Sequence, residues 1–209
     1  MIKALLLIFN PAGTWENIVL ARRSLIYIFA AYLLPLLVLG SVCEGYGLVH
    51  WGKWQGEIQP HLKRFAPGEA VLFETAQVLL TLALVFIATP VVKSLGGTFH
   101  SRHTHTEAFS LVAYSLSPWF LARFFDAFAG VSPWVSWSLG MLLSLRVLYY
   151  GVPRMMNPDP SHAFGLLFTS AVLLLFMTGL VRFVTACYLQ GKFPVIEEFI
   201  SHLAARLPF

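Results

Sequence analysis

The chain has 209 residues, of which 57% are hydrophobic, 15% aromatic and only 11% charged. A soluble domain carries about 25% charged residues, and a disordered chain is poor in apolar residues, so both classes are excluded. Fourteen Lys and Arg against ten Asp and Glu give a net charge of +4, with no basic stripe of the kind that nucleic acid requires. The apolar excess runs along the whole sequence and marks a polytopic membrane protein.

Residues 1–9 hold one basic residue, Lys3, and an apolar run too short for a signal-peptide core, so this segment is expected to be retained. In segment 14–23, Trp15, Ile18 and Val19 fall at helical spacing behind Thr14, which predicts an N-capped amphipathic helix lying on the bilayer. Crossing about 30 Å of hydrocarbon takes roughly 20 apolar residues. Five stretches qualify: 24–43, 71–92, 108–128, 133–150 and 163–189. Pro35 interrupts the first. The second holds Glu74 and Gln77 near its start and Pro90 near its end. The third contains Ser115, Ser117 and Pro118, then Arg123 and Asp126, and the fifth carries Arg182.

These runs are continuous and lack barrel-strand alternation, so they are read as helices. The long loop 44–68, with Trp51, Trp54 and Phe65, is expected to rest on the interface. The tail 194–207 places Ile196, Phe199, Ile200, Leu203 and Leu207 on one helical face, as an amphipathic surface helix does. The expected fold is one all-α membrane domain: five transmembrane helices, with interfacial helices at both ends. Arg22 and Arg23 before the first span, against Glu44 after it, place the N-terminus in the cytoplasm and the C-terminus outside.

A charge in hydrocarbon is costly, by roughly 2.5–3.5 kcal/mol or more, and needs a partner or water. Glu74, Arg123, Asp126 and Arg182 fall at one depth, in the outer third of their spans. They form either an interhelical salt-bridge network, the preferred reading, or a polar cavity open to the outside. Arg123 and Asp126 are also helical neighbours that could pair with each other, and Arg146 is expected to snorkel. Pro118 directs its ring at the Tyr114 carbonyl and should kink the third span, where Ser115 and Ser117 could re-satisfy freed backbone groups. Ser136, Gly140 and Ser144 form a small-residue stripe that admits a neighbouring helix; packing within one subunit is preferred over a homodimer seam.

His100, His103 and His105 are a weak metal motif, because no further ligand completes the set; no metal or other cofactor is expected. Cys43 and Cys187 sit at the outer ends of their spans and read as two apolar thiols, with a disulfide as the alternative. No nucleophile elbow, zinc-protease helix, phosphate loop or Cys-x-x-Cys pair is present, so no enzyme is proposed.

Several local patterns fit together with this layout. Asn10-Pro11 and Trp15 precede the first span, and Tyr32-Leu33-Leu34-Pro35-Leu36 lies within it. Gly96-Gly97 precedes the third span, which contains Tyr114-Ser115-Leu116-Ser117-Pro118; Gly151 and Ala163 bracket the last connection. In these residues and their order the chain resembles the Yip (Ypt/Rab-interacting protein) domain family in its compact bacterial form. The resemblance implies a five-helix integral membrane fold in a bacterial inner membrane. Eukaryotic relatives bind Rab-type GTPases through a long cytosolic N-terminal region. Only about two dozen residues precede the first span here, so that partner is not expected to carry over. The resemblance supplies no catalytic or ligand residues; Tyr114, Ser117 and Pro118 match as signature positions with a structural role. The expected function is non-enzymatic organisation of membrane lipids or of a protein partner not identified by the sequence. The alternative is a small-solute or ion transporter built on the polar cluster.

Overall fold

Hydrocarbon offers the backbone no hydrogen-bond partner, so a chain this apolar satisfies its peptide groups inside helices. The computed structural model describes residues 2–56, 61–99, 101 and 103–205, and is helical almost throughout. Helices α1 (Ile2–Phe9) and α2 (Pro11–Ala21) come first. Next, α3 (Leu25–Ile28), a π-helical turn (Phe29–Leu33) and α4 (Leu34–His50) form one run. A two-stranded hairpin, β1 (Lys53–Gln55) and β2 (His61–Lys63), leads into α5 (Pro67–Thr98). Then come α6 (His105–Ser115), α7 (Ser117–Ala122), a 3-10 turn (Arg123–Ala127), α8 (Pro133–Met155), α9 (Ala163–Leu189) and α10 (Pro194–Ala204).

Four unbroken runs are long and apolar enough to cross a bilayer: Leu25–His50, Pro67–Thr98, Pro133–Met155 and Ala163–Leu189. They cover four of the five expected spans. The remaining stretch, 108–128, is instead a jointed segment made of α6, α7 and the 3-10 turn. Every residue from 108 to 120 is buried, and the segment packs against α4, α5 and α8. It is the axis of the bundle. The π turn in the first run has a local cause: Pro35 cannot donate a backbone hydrogen bond, and the Leu34 N–H reaches back to the Phe29 carbonyl.

Three surface expectations change. Helix α2 starts earlier than read: Asn10, not Thr14, is its cap, and the Asn10 side chain accepts from the Gly13 N–H at 3.3 Å. Its Trp15 does not face lipid but is fully buried, and Trp15 Nε1 donates to the Val147 carbonyl of α8 at 2.9 Å. Arg146 does not merely snorkel; its Nη1 donates to the Ile8 carbonyl of α1 at 3.2 Å. The 44–68 loop is more than an interfacial strap. Helix α4 continues through its first part, and the hairpin folds over the bundle end. Lys53 Nζ donates to the carbonyls of Phe128 (2.7 Å) and Val131 (3.1 Å), and Gln55 Nε2 donates to Leu189 (3.0 Å). Phe65 is buried there, while Trp51 and Trp54 remain exposed. Burial holds the Lys53 ammonium below the ordinary lysine range, and the negative charges of Asp126 and Glu44 pull it partly back.

At the other end of the chain, α10 turns Ile200 toward Phe65 and Tyr188 and leaves Val195, Ile196, Phe199 and Leu203 exposed. Arg206 and Leu207 lie outside the described residues, as does the side chain of Glu197.

Glycine decides how closely α8 approaches the jointed segment. A Cβ at Gly140 would lie 2.8 Å from Trp119 Cα and 2.8 Å from Ala122 Cβ. Gly140→Val should therefore destabilise the protein by about 1–3 kcal/mol, the usual cost of overpacking. Gly97→Ala, whose new methyl meets nothing within 4 Å, should leave the thermal melt in detergent unchanged or raise it.

Candidate functional site

Two buried constellations stand out, and the jointed segment supplies residues to both. The first surrounds the joint. With no N–H on Pro118, the Tyr114 carbonyl loses its helical partner; Ser117 Oγ takes it instead, donating at 2.7 Å. Tyr32 OH then shares a 2.5 Å hydrogen bond with Ser117 Oγ. The Tyr32 and Tyr114 rings lie 4.4 Å apart, and Trp15 meets Tyr114 edge-on at 6.0 Å. Gly151 faces Trp15 so closely that a Cβ would sit 2.6 Å from the indole. The motif positions Trp15, Tyr32, Tyr114, Ser117, Pro118 and Gly151 thus meet in one place although they span most of the chain. Ser115 is buried beside them, and its hydroxyl has no partner among the described residues.

The second constellation is ionic. Arg123 in the 3-10 turn donates to Glu44 Oε2 from Nε (3.1 Å) and Nη2 (2.9 Å). The same Nη2 donates to Glu74 Oε2 at 2.7 Å and Ser41 Oγ at 3.3 Å. Gln77 Nε2 donates to Glu44 Oε2 at 3.0 Å. Arg182 of α9 grips Asp126 from Nη2, at 2.6 Å to Oδ1 and 2.7 Å to Oδ2, and donates from Nε to the Pro133 carbonyl at 2.7 Å. Ser136 Oγ donates to Asp126 Oδ1 at 2.5 Å. Arg123 and Asp126 therefore turn to different partners and do not pair with each other.

The four residues expected to cluster, Glu74, Arg123, Asp126 and Arg182, are all less than 10% exposed. They close on one another rather than ringing an open cavity. The nearest opening is a groove of about 650 Å³ on the outer face of α4 and α5, apolar except for Ser41, His50, Glu74 and Thr75 among its lining.

Glu44 is the member that sequence reasoning missed, because the first span was ended at Cys43. Helix α4 in fact runs to His50 and buries Glu44 completely. The signal was present: Leu37, Ser41, Glu44 and Leu48 recur at helical spacing, and all four are buried. With Glu44 included, three carboxylates (Glu44, Glu74, Asp126) pair with two arginines (Arg123, Arg182). A third cation, Lys53, bonded to the Phe128 and Val131 carbonyls, is within electrostatic reach of Asp126 and Glu44. Four atoms at the centre lack a partner among the described residues: Glu44 Oε1, Glu74 Oε1, Gln77 Oε1 and Arg123 Nη1.

The small-residue stripe is used inside this chain. Ser136 joins Asp126, Gly140 admits Trp119 and Ala122, and Ser144 Oγ accepts from the Trp119 N–H at 3.3 Å. Of the histidine run, His100 lies outside the described residues. His103 shares hydrogen bonds with Ser101 Oγ (3.0 Å) and the Lys93 carbonyl (3.1 Å), while His105 opens α6. Among the described residues no group of three or more His, Cys, Asp or Glu is placed to hold a metal ion. Cys43 and Cys187 are both free thiols.

A family model described as Yip1 domain matches residues 5–181, a stretch that includes every residue of both constellations except Arg182. The chain belongs to the Yip family. No curated protein and no solved structure gives a significant match.

Removing one partner of a buried ion pair leaves an uncompensated charge, at a cost of about 3–5 kcal/mol. Arg182→Leu should lower stability by that order in detergent unfolding, and Arg123→Leu by at least as much, because two carboxylates lose their partner. The double variant Asp126→Leu with Arg182→Leu should recover much of the loss. Equal melts for Arg182→Leu and the parent would show that the pair contributes nothing.

Proposed function

We propose that this Yip-family protein is a non-enzymatic membrane scaffold that organises the surrounding bilayer or a protein partner. The supporting observation is where the chain places its polar and apolar groups. Charged side chains from α4, α5, the 3-10 turn and α9 are bound to one another across the bundle. In contrast, α10 turns Val195, Ile196, Phe199 and Leu203 outward, and α1 does the same with Ile2, Leu5, Leu6 and Phe9. Such faces suit lipid or a partner helix. The family and the Arg22-Arg23 pair support placement in a bacterial inner membrane with Arg22 on the cytoplasmic side.

A second reading, a transporter of small cations or solutes, is favoured by one observation: the four unpartnered polar atoms around Glu44, Glu74, Gln77 and Arg123. Glu74 also lines the groove between α4 and α5, which would supply a route.

Proteoliposome flux separates the two. The scaffold reading expects no sodium, proton or small-solute flux under a gradient. It also expects a photo-crosslinker at Phe199 to capture one defined partner or lipid, while the same probe at buried Leu174 captures neither. Flux that Glu74→Gln abolishes in a normally melting protein would establish the second reading instead. Arg23→Cys and Lys63→Cys should label from opposite faces of the membrane; labelling from the same face would overturn the orientation.

A further inference from the structure

The end of the bundle farthest from the β-hairpin carries a different charge pattern. A cavity of about 340 Å³ opens there, between α2, the start of α6 and the end of α8. Its lining includes four cationic side chains, Lys3, Arg22, Arg23 and Arg154, against one carboxylate, Glu107. The buried network near the hairpin sets three cations against three carboxylates, but the lining of this cavity has no such balance.

The one acid is already engaged. Glu107 Oε2 accepts from the Thr104 N–H at 2.6 Å and from Thr104 Oγ at 3.0 Å, closing a capping box. Arg154 lies 3.7 Å from Glu16 on the rim and donates to the Tyr150 carbonyl at 3.1 Å. The Arg23 guanidinium lies over the Tyr27 ring at 4.6 Å. The side chains of Lys3 and Arg22 make no hydrogen bond or ion pair with the described residues. Arg22 also holds a left-handed backbone, φ 41° and ψ 48°, at the end of α2. That conformation is unfavourable for a long side chain and is normally left to Gly or Asn. Strain of this kind concentrates where a residue is needed for binding.

Depth narrows the ligand. Arg22 and Arg23 lie immediately before the run Leu25–His50, Arg154 is in the last turn of α8, and Glu107 is in the first turn of α6. All sit at the ends of membrane segments, the level of lipid headgroups. The rest of the wall is mixed: Ile18, Ile28 and Met155 give it an apolar side that suits a glycerol ester, and Thr106 and Ser110 add hydroxyls that can bond phosphate oxygens. Arginine forks match phosphate oxygens in pairs, and basic pockets between membrane helices take lipid phosphates. We infer that this pocket binds the phosphate of an anionic phospholipid headgroup. The inference is independent of the scaffold and transport readings, which concern other surfaces.

Lipid nanodiscs test it with the intact chain. Discs of phosphatidylcholine alone are compared with discs containing phosphatidylglycerol, reading the melting temperature and, by native mass spectrometry, the lipid retained on release. The parent should keep phosphatidylglycerol several-fold over phosphatidylcholine and melt several degrees higher with it. Lys3→Gln with Arg22→Asn, the latter suited to the left-handed backbone, should lose this preference while melting like the parent in phosphatidylcholine. Lys3→Gln alone, which alters no backbone strain and breaks no described hydrogen bond, should halve the preference and serves if the double variant fails to fold. Arg64→Gln with Lys192→Gln removes the same charge at the hairpin end and should keep the preference. No preference in the parent, or one equally reduced by both double variants, would overturn the site. Inorganic phosphate added to phosphatidylcholine discs should shift nothing; a shift matching that of phosphatidylglycerol would overturn the lipid assignment in favour of a free anion.

Discussion

Every charged group that this protein takes into hydrocarbon must find its opposite there, and that requirement organises the bundle. A carboxylate or guanidinium transferred from water loses hydration that no apolar neighbour replaces. Arg123 and Arg182 meet the requirement by reaching across helix boundaries. Arg123 ties the 3-10 turn to α4 and α5; Arg182 ties α9 to the same turn and, through Ser136 and the Pro133 carbonyl, to α8. Apolar contacts between helices in lipid are not directional, since a lipid tail is as apolar as leucine. The ion pairs are directional, and they fix which helix lies beside which.

The jointed segment follows from the same constraint applied to the backbone. A proline in the middle of a buried helix strands a carbonyl, and no water is available to cover it. Ser117 supplies a hydroxyl one residue before the proline, and Tyr32 from the neighbouring run shares a hydrogen bond with that hydroxyl. The break therefore has its own lock. Beyond the joint the chain tightens into a 3-10 turn, from which Arg123 reaches Glu44 and Glu74 while Asp126 is held by Arg182 and Ser136. Residues three apart share a face in a 3-10 turn as they do in an α-helix, so it is the opposing charges of α4, α5 and α9 that draw the two side chains to different partners. Joint and ionic network thus share one segment, which binds the surrounding elements through the hydroxyl on a freed backbone carbonyl at the first and through charged side chains at the second.

Much of this was legible in the sequence, for identifiable reasons. Four spans follow from apolar length alone, and the end of the last, residue 189, agrees with α9. The kink at Pro118 follows from proline chemistry. Glu44 was not legible from a hydropathy boundary, because an acid after Cys43 looks like the start of a loop. Only the periodicity of Leu37, Ser41 and Leu48 places it on a buried face. Trp15 was misread for the opposite reason: an indole near a basic pair resembles an interfacial anchor, and nothing local reveals that α8 offers the Val147 carbonyl to its N–H. Long-range partners of this kind are invisible to any window shorter than the distance between them. The strand pair Lys53–Gln55 and His61–Lys63 was missed likewise, since the contacts of Lys53 and Gln55 that seat it are made to residues far along the chain.

The two ends of the bundle solve different electrostatic problems. At the hairpin end, Lys53 is drawn over Phe128 and Val131, and the three cations and three carboxylates are sealed from solvent. Sealing is affordable only because the charges balance. At the Arg22 end the cations outnumber the acids, and the side chains stay at the rim, where water and headgroups can reach them. An excess of one sign is stable only where something mobile can compensate it. Arg22 and Lys3 therefore mark the part of the molecule whose charge is completed from outside, and the buried network the part that is complete in itself.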